Sequence, residues 1–320
     1  MSVDSILAQL QDPGASIPAS DLTQLSALPP GDRERFLSAW RELSIQRRRD
    51  LVDRLATLAE DSVEVDFNDI FLAGLVDPDV QVRADCVRAL WEYEGPDLAA
   101  VLLKLLRDPE ALVRGEAALG LGRFLVRAEL EGRSDEQTSR IEAVLLSVAR
   151  DEQELVEVRG RAIESLGARS HDWVVELIEE AYASGDRRLH ISAIHAMGRS
   201  AEHRWLAAVI DEMENEDGEV RFEAATAAGA IGDEGAIPSL AQLTGDEDAE
   251  AQEAAIGALG QIGGAAARAV LQAVAEEQRD ERVREAVAEA LEAADFVDDP
   301  LGFRMEVHAG AVDEDDEEDA

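Results

Sequence analysis

The chain has few of the residues on which most enzyme chemistry depends. Its 320 residues include one cysteine, Cys86, five histidines and 4% aromatic residues. A single cysteine excludes a disulfide framework within the chain. His190 and His195 lie about 140° apart around a helix and cannot chelate one metal as an i, i+4 pair would. The sequence also lacks a His-Glu dipeptide, a Cys-x-x-Cys, a phosphate loop and a Gly-x-Ser-x-Gly. We therefore identify no catalytic residue and no metal ligand, and we expect no cofactor.

Positive charge is scarce as well. Lys104 is the only lysine, and 30 basic residues stand against 70 acidic ones, for a net charge of −40. The excess is greatest in residues 201–320, where 33 acidic and seven basic residues give −26. Such a surface repels nucleic acid and anionic lipid, and it could steer a basic partner toward the protein. A generally acidic proteome in the source organism is an equally good explanation, and both stay open.

Long apolar runs are absent. No segment approaches the roughly 18 to 20 apolar residues of a membrane span. The first ten residues include Asp4 and Gln9 and lack a basic start, so we recognise no secretory signal peptide. These absences predict a cytoplasmic protein that binds neither membrane nor nucleic acid.

The sequence does contain a motif that returns every 31 residues. Its marker is an arginine, replaced by histidine and glutamine in two copies: Arg83, Arg114, Arg159, His190, Arg221, Gln252 and Arg284. The steps between markers are 31, 45, 31, 31, 31 and 32 residues, so one step carries a 14-residue insertion. A fixed period in this range is typical of stacked supersecondary units.

Each copy has the pattern of a helix around its marker. Four residues earlier, five of seven copies have aspartate, which accepts from free backbone N–H groups at a helix start. Small aliphatic residues at offsets −1, +3, +4, +6 and +7 share one side of that helix. Five copies have glycine at offset +8, which we interpret as the left-handed residue that closes the helix. Another amphipathic run precedes each marker, so each unit is predicted to be helix, short turn, helix. The marker arginines are expected to bond turn carbonyls or the aspartate of an adjoining unit.

The pattern Asp-x-x-x-Val-Arg-x-x-Ala-x-x-x-Leu-Gly resembles the HEAT repeat in its short bacterial form, also seen in phycobilisome lyase-type proteins. Val65-Asp66-Phe67 and Ala196-Met197-Gly198-Arg199-Ser200-Ala201 are similar to an uncharacterised bacterial HEAT group. The resemblance implies an all-α fold, a right-handed α-solenoid of about seven repeats. It does not imply one activity, because such folds serve many functions.

The predicted organisation has four parts. Residues 1–31 form an N-terminal segment that is partly loop, and residues 32–65 form a helical pair that caps the open end of the stack. Residues 66–294 form the repeat array, with the insertion near 125–138 and its loop tip at Gly132. Residues 295–320 are expected to be an acidic, disordered tail.

The best candidate interface is the side of each second helix that points away from the packed side, at offsets +2, +5 and +9. In HEAT-like stacks the second helices line the concave surface. Along repeats 1–4 the candidates are a cationic strip with two flanking apolar residues: Arg88, Arg123, Arg161, His195 and Arg199, with Ile191 and Phe222. A plain solvated face with scattered arginines is the alternative interpretation.

Two functions are compatible with the sequence. The first is a non-catalytic scaffold or adaptor that binds a protein or peptide on the concave face. The second, implied by the resemblance, is an enzyme or enzyme subunit of bilin lyase type that acts on a tetrapyrrole. It would need an aromatic-lined groove, whereas Trp91, Trp173 and Trp205 are expected near repeat cores. Deoxyhypusine hydroxylase, a HEAT-type enzyme, places its iron on His-Glu pairs, which this chain lacks.

Overall fold

A computed structural model describes residues 3–12, 14–93, 95, 97–277 and 280–298. These residues form 18 α-helices, with short 3-10 helices between some of them and no strand. The chain divides into two compact units, Met1–Trp205 and Leu206–Ala320, each of which is described by itself. The predicted domain boundaries do not include this division, and they stay predictions.

The first unit contains twelve of these helices. They are α1 (Val3–Gln11), α2 (Ala19–Leu22), α3 (Pro30–Glu42), α4 (Ile45–Asp61), α5 (Asn68–Gly74), α6 (Val80–Ala89), α7 (Leu98–Leu105), α8 (Ala111–Leu130), α9 (Glu136–Ala149), α10 (Val156–Leu166), α11 (Asp172–Tyr182) and α12 (Arg187–Ser200).

The second unit contains the remaining six. They are α13 (Leu206–Glu212), α14 (Gly218–Ile231), α15 (Ile237–Leu243), α16 (Ala249–Ile262), α17 (Gly264–Glu277) and α18 (Glu281–Asp298).

In both units the helices pack as pairs, and the second helix of each pair stacks on the second helix of the next. In the first unit this stack is α4, α6, α8, α10 and α12, and in the second it is α14, α16 and α18. The odd-numbered first helices pack against their partners. The shared side of the second helices is buried and built largely from Ala, Val and Leu. This all-helical arrangement is an α-solenoid and confirms the predicted fold class.

Aspartate starts the second helices as the sequence predicts. The Asp79 carboxylate accepts from the Val82 N–H at 3.1 Å, and Asp248 accepts from the Glu250 and Ala251 N–H groups. Asp186 and Asp217 do the same for α12 and α14. Each carboxylate satisfies backbone donors that have no partner inside the helix.

The marker arginines join consecutive repeats. Arg83 pairs with Asp108 of the next turn at 2.8 Å, Arg114 pairs with Glu154 at 2.7 Å, and Arg221 pairs with Asp246 at 2.7 Å. A second guanidinium nitrogen in each donates to the two carbonyls five and six residues earlier. The predicted structural role is confirmed at these three positions.

None of the glycines at offset +8 is left-handed, so that part of the interpretation is wrong. Gly167 does end α10, but with a right-handed φ of −54°, and the other four lie inside their helices. Gly260 lies inside α16, and a Cβ there would be 2.7 Å from the Ala290 carbonyl oxygen of α18. A Cβ on Gly167 would be 2.7 Å from the Ala196 Cα. Glycine is needed here because the second helices approach backbone to backbone. The left-handed positions come three residues later, at Ala201 and Gly232.

The helical pair α3–α4 is fixed to the first repeat by buried polar contacts. The Trp40 indole N–H donates to Asp77 at 2.8 Å, and Arg48 forms an ion pair with the same carboxylate at 3.0 Å. Arg49 pairs with Asp79 at 2.7 Å. Breaking such buried pairs is costly, because a charge would remain without a partner.

The 14-residue insertion mainly lengthens two helices. α8 has 20 residues and α9 has 14, and only residues 131–135 between them are not helical. Gly132, at the predicted loop tip, has a φ of 60°. Residues 299–320 of the predicted acidic tail lie outside the described residues.

Two glycines of α16 allow a matched test of the backbone approach. We expect Gly260→Ala to lower the free energy of unfolding by about 1–3 kcal/mol, because the new methyl group overlaps the α18 backbone. Gly257 lies on the exposed side of the same helix, and a Cβ added there would meet no atom within 4 Å. Gly257→Ala should therefore raise stability by about 0.5–1 kcal/mol through helix propensity. Urea denaturation followed by circular dichroism measures both, and equal effects would contradict the close approach.

The ion pairs between repeats predict loss of stability in acid. Hydrogen bonds from Arg221 lower the pKa of Asp246, and those from Arg114 lower the pKa of Glu154. A carboxylate whose folded pKa is lowered stabilises the protein above its unfolded pKa, near 4, and loses this effect as pH falls through the folded pKa.

Arg221→Gln removes one such ion pair and keeps a side chain that the repeat accepts. Gln252 stands at the equivalent marker position and donates to the Thr244 carbonyl at 2.7 Å. We expect Arg221→Gln to lower the free energy of unfolding at pH 7 by about 2 kcal/mol. Its stability should also depend less steeply on pH below 4. Denaturation series from pH 7 to pH 3 compare the two proteins, and parallel pH profiles would count against the pair.

Candidate interaction surface

A buried carboxylate organises the exposed side of the second helices in the first unit. Glu164 of α10 is 2% exposed and accepts from Arg161 at 2.9 Å, from Arg188 at 2.7 Å and from the Ser192 hydroxyl at 2.8 Å. Two positively charged arginines share the single negative charge of Glu164, so the cluster keeps a net positive charge. The three hydrogen bonds hold its side chains in place. It fixes the guanidinium of Arg161 at the protein surface, where its side chain is 43% exposed.

An apolar groove lies beside this cluster, between the starts of α8 and α10. It has a volume of about 350 Å³, and Arg161, Arg188, Glu116 and Glu157 are among the residues that line it. Leu112 and Leu155 line it and are 42% and 54% exposed. We call it the leucine groove. Two exposed leucines side by side are typical of a contact surface rather than of a solvated face.

Leu155 also breaks the capping rule of the repeat. It occupies the position where five of the seven copies have aspartate and α8 has Glu110, and its side chain makes no capping hydrogen bond. The backbone there, at φ −62° and ψ 140°, is extended, as it is at the aspartate caps. The chain therefore forgoes a stabilising cap for an exposed leucine, and such local departures are expected at functional sites.

A second groove lies on the second helices of the other unit. Its volume is about 750 Å³, and its floor is made of small residues such as Ala254, Gly257 and Ala290, with Phe222 at one side. The rim is acidic, with carboxylates from three residues: Glu250, Glu253 and Glu289. We call it the Phe222 groove. Its charge fits a cationic partner.

The residue types that commonly ligate metals or act as nucleophiles are placed as follows. Among the described residues, no three His, Cys, Asp or Glu side chains are grouped to hold a metal. His171 stacks on Trp173, and His190 stacks on Tyr182 and contacts the Tyr182 carbonyl. Burial raises the pKa of the Cys86 thiol, which disfavours the reactive thiolate.

The comparisons with known proteins agree with this fold. The family model of HEAT repeats matches residues 68–138 and 206–292. Over these two segments the chain is similar to HEAT-repeat proteins. The matches do not distinguish the phycobilisome lyase-type subgroup. Among curated proteins, none matches the chain significantly.

Solved structures with similar HEAT or armadillo architecture show low identity. Yeast importin-β (Kap95p) is 12% identical over 91% of this chain and 46% of its own, with a TM-score of 0.51. Human deoxyhypusine hydroxylase is 20% identical over 71% of this chain and 96% of its own, with a TM-score of 0.33. A designed armadillo repeat protein in complex with the peptide (KR)4 is 16% identical over 62% and 99%, with a TM-score of 0.39. At these identities the likeness shows the fold alone.

No described helix is both long and apolar enough to cross a membrane.

The contacts of the second helices change the predicted cationic strip. Arg88 pairs with Asp85 at 3.0 Å and Glu116 at 3.1 Å, and Arg123 donates to backbone carbonyls of the turn after α6, including Tyr93. Arg123 is therefore committed to holding that turn. Arg88 is therefore neutralised by two carboxylates, whereas Arg161 shares the single charge of Glu164 with Arg188.

The remaining predicted residues fall into three groups. Ile191 is 1% exposed, so it belongs to the core and is removed from the candidate surface. His195 and Arg199 lie on α12; desolvation lowers the pKa of Arg199, although its side chain still reaches solvent. Phe222 lines the groove of the second unit.

Trp91 is 58% exposed, which corrects its expected place near a core, whereas Trp205 is buried.

Sequence reasoning missed the residues that form the leucine groove. Leu155 already stood out as the apolar exception among the aspartates four residues before the markers. That signal would have located the groove, because an uncapped, apolar helix start is unusual at an exposed position.

Proposed function

We propose that this protein is a non-catalytic scaffold or adaptor that binds a protein or peptide partner on the exposed faces of its second helices. The observation that carries the proposal is the leucine groove, where Leu155 replaces a capping aspartate and is exposed beside Leu112. Interfaces combine an apolar centre with a polar rim that fixes orientation, and Arg161 and Glu157 provide such a rim.

The Phe222 groove supports a basic partner on the second unit. Residues 206–298 contain 23 acidic and five basic residues, and the groove rim carries three carboxylates. Complementary charge chiefly raises the association rate and selects among partners, whereas apolar contact provides most of the affinity. A partner with basic residues around a short apolar segment fits this surface.

The Leu155→Asp variant separates binding from folding. It restores the aspartate cap that Asp79 and Asp248 provide elsewhere, so we expect stability to be kept or raised by about 1 kcal/mol. It also places a carboxylate in the leucine groove, so partner recovery should fall at least tenfold. The measurement is affinity capture from native lysate at low and high salt, with mass spectrometry of the captured proteins.

The matched control is Val63→Asp, which adds the same charge at a fully exposed position away from the groove. We expect it to capture the partner as the wild type does. Equal capture by Leu155→Asp and wild type would exclude the leucine groove. Capture of no specific protein by the wild type would count against a scaffold.

The tetrapyrrole alternative predicts a different result. A bilin in a structured groove would show a shifted visible absorbance band on mixing. We expect a flat difference spectrum, because Phe222 is the one aromatic residue that lines either groove described above. An induced band at stoichiometric protein would favour the bilin lyase type instead.

A further inference from the structure

The first helices of the first unit form a third groove, on a different surface from the second-helix faces. It lies between α7 and α9 and has a volume of about 560 Å³. Its floor is apolar, with Leu103, Val144 and Val148 among the lining residues, and three cations border it: Lys104, Arg107 and Arg140. No carboxylate of the described residues lines it. We call it the outer groove.

The three cations are not used by the fold. In the part of the chain that the structure describes, Lys104, Arg107 and Arg140 make no ion pair and no side-chain hydrogen bond. Most other arginines of the described residues are bonded to carboxylates or backbone carbonyls, as Arg83 and Arg114 are. In a chain with 70 acidic residues, partners are abundant. Three unpaired cations around one apolar groove therefore indicate a ligand outside this chain.

The spacing of the lining residues sets the size of that ligand. On α9 they follow the i, i+3, i+4, i+7, i+8 pattern, at Arg140, Ala143, Val144, Ser147 and Val148, so they share one side of the helix for about two turns. At 1.5 Å per residue this side is about 12 Å long. An amphipathic helix of two to three turns, or an extended segment of a few residues, covers it.

We propose that the outer groove binds an acidic amphipathic segment of a partner protein. Apolar side chains of the segment contact Leu103 and Val144, and its carboxylates pair with Lys104, Arg107 and Arg140. This goes beyond the proposed scaffold function, because it assigns a separate site and a ligand of opposite charge to the one that suits the Phe222 groove.

A short segment fits this site better than a polyanion does. Charges more than about 8 Å apart are largely screened at physiological ionic strength, so a short acidic segment interacts mainly with the three local cations. Nucleic acid or an anionic membrane extends beyond the groove and meets a protein whose net charge is −40. The apolar floor also has no counterpart in a phosphate backbone.

The test measures binding of labelled peptides to the full chain by fluorescence anisotropy. The main probe is a 12-residue peptide of Leu and Glu with leucines at helical spacing. A permuted peptide of the same composition and a peptide with Lys in place of Glu test spacing and charge. We expect the first peptide to bind with saturation and to bind more weakly as salt rises, whereas the Lys peptide does not compete for its site.

Three variants locate the site. Neutralising the cations together, with Lys104→Gln, Arg107→Gln and Arg140→Gln, should weaken binding about tenfold, since each exposed pair contributes modestly. Ala143→Trp should block the floor without changing charge. Arg41→Gln removes an unpaired arginine outside the groove and should leave binding unchanged. Circular dichroism verifies that each variant is folded.

Three results would overturn the proposal: no saturable binding of the Leu-Glu peptide, equal binding by the triple variant, or equal binding of the permuted peptide. A peptide with the sequence of residues 309–320 is the final probe. If it binds the groove more tightly than the Leu-Glu peptide, the occupant is this chain's own acidic C-terminus rather than a partner. A negative result in any of these peptide experiments does not bear on the leucine groove, because lysate capture with Leu155→Asp tests that site separately.

Discussion

Close approach of the second helices is the constraint on which the rest of each unit depends. Gly260 and Gly167 lie where a single methyl group would overlap the backbone of the neighbouring helix. Small residues on one side of a helix bring backbones together and leave little apolar surface to be covered from elsewhere. The opposite side of the same helices does not pack against neighbouring helices in this way, and it carries the leucine groove and the Phe222 groove.

The ion pairs between repeats complement this packing. A guanidinium such as that of Arg221 bonds two carbonyls of its own turn and the carboxylate of the next, so one side chain connects successive turns. Charge-assisted, two-point bonds of this kind specify geometry as well as energy. In these bonds the positive charges of the arginines are neutralised by carboxylates of the same chain. The cations that remain unpaired, above all Lys104, Arg107 and Arg140, are informative for that reason.

The three grooves differ in chemistry although they arise from one repeat pattern. The leucine groove is apolar with a mixed rim, the Phe222 groove has an acidic rim, and the outer groove has a cationic one. A repeat fold permits this variety, because residues outside the packed side contribute little to stability and are free to vary between copies. One chain of this type is thus suited to hold partners of different charge at different places.

The sequence by itself determined the helical pairs, the aspartate caps and the role of the marker arginines. These features are local or periodic: Asp79 and Arg83 bond the backbone of their own turn, Arg83 also reaches Asp108 of the next turn, and the 31-residue period repeats this geometry. Only the tertiary structure decided the rest. A glycine at offset +8 looks the same in sequence whether it ends a helix or allows a neighbouring helix to come close. The short distance from a Cβ on Gly260 to the Ala290 backbone shows that the second role applies. Arg88 and Arg123 were both candidate surface residues in the sequence. In the structure Arg88 pairs with Glu116 and Arg123 bonds the Tyr93 carbonyl, so both contribute to the fold. The outer groove joins Lys104 to Arg140 across the insertion, and no local pattern connects residues that far apart in the chain.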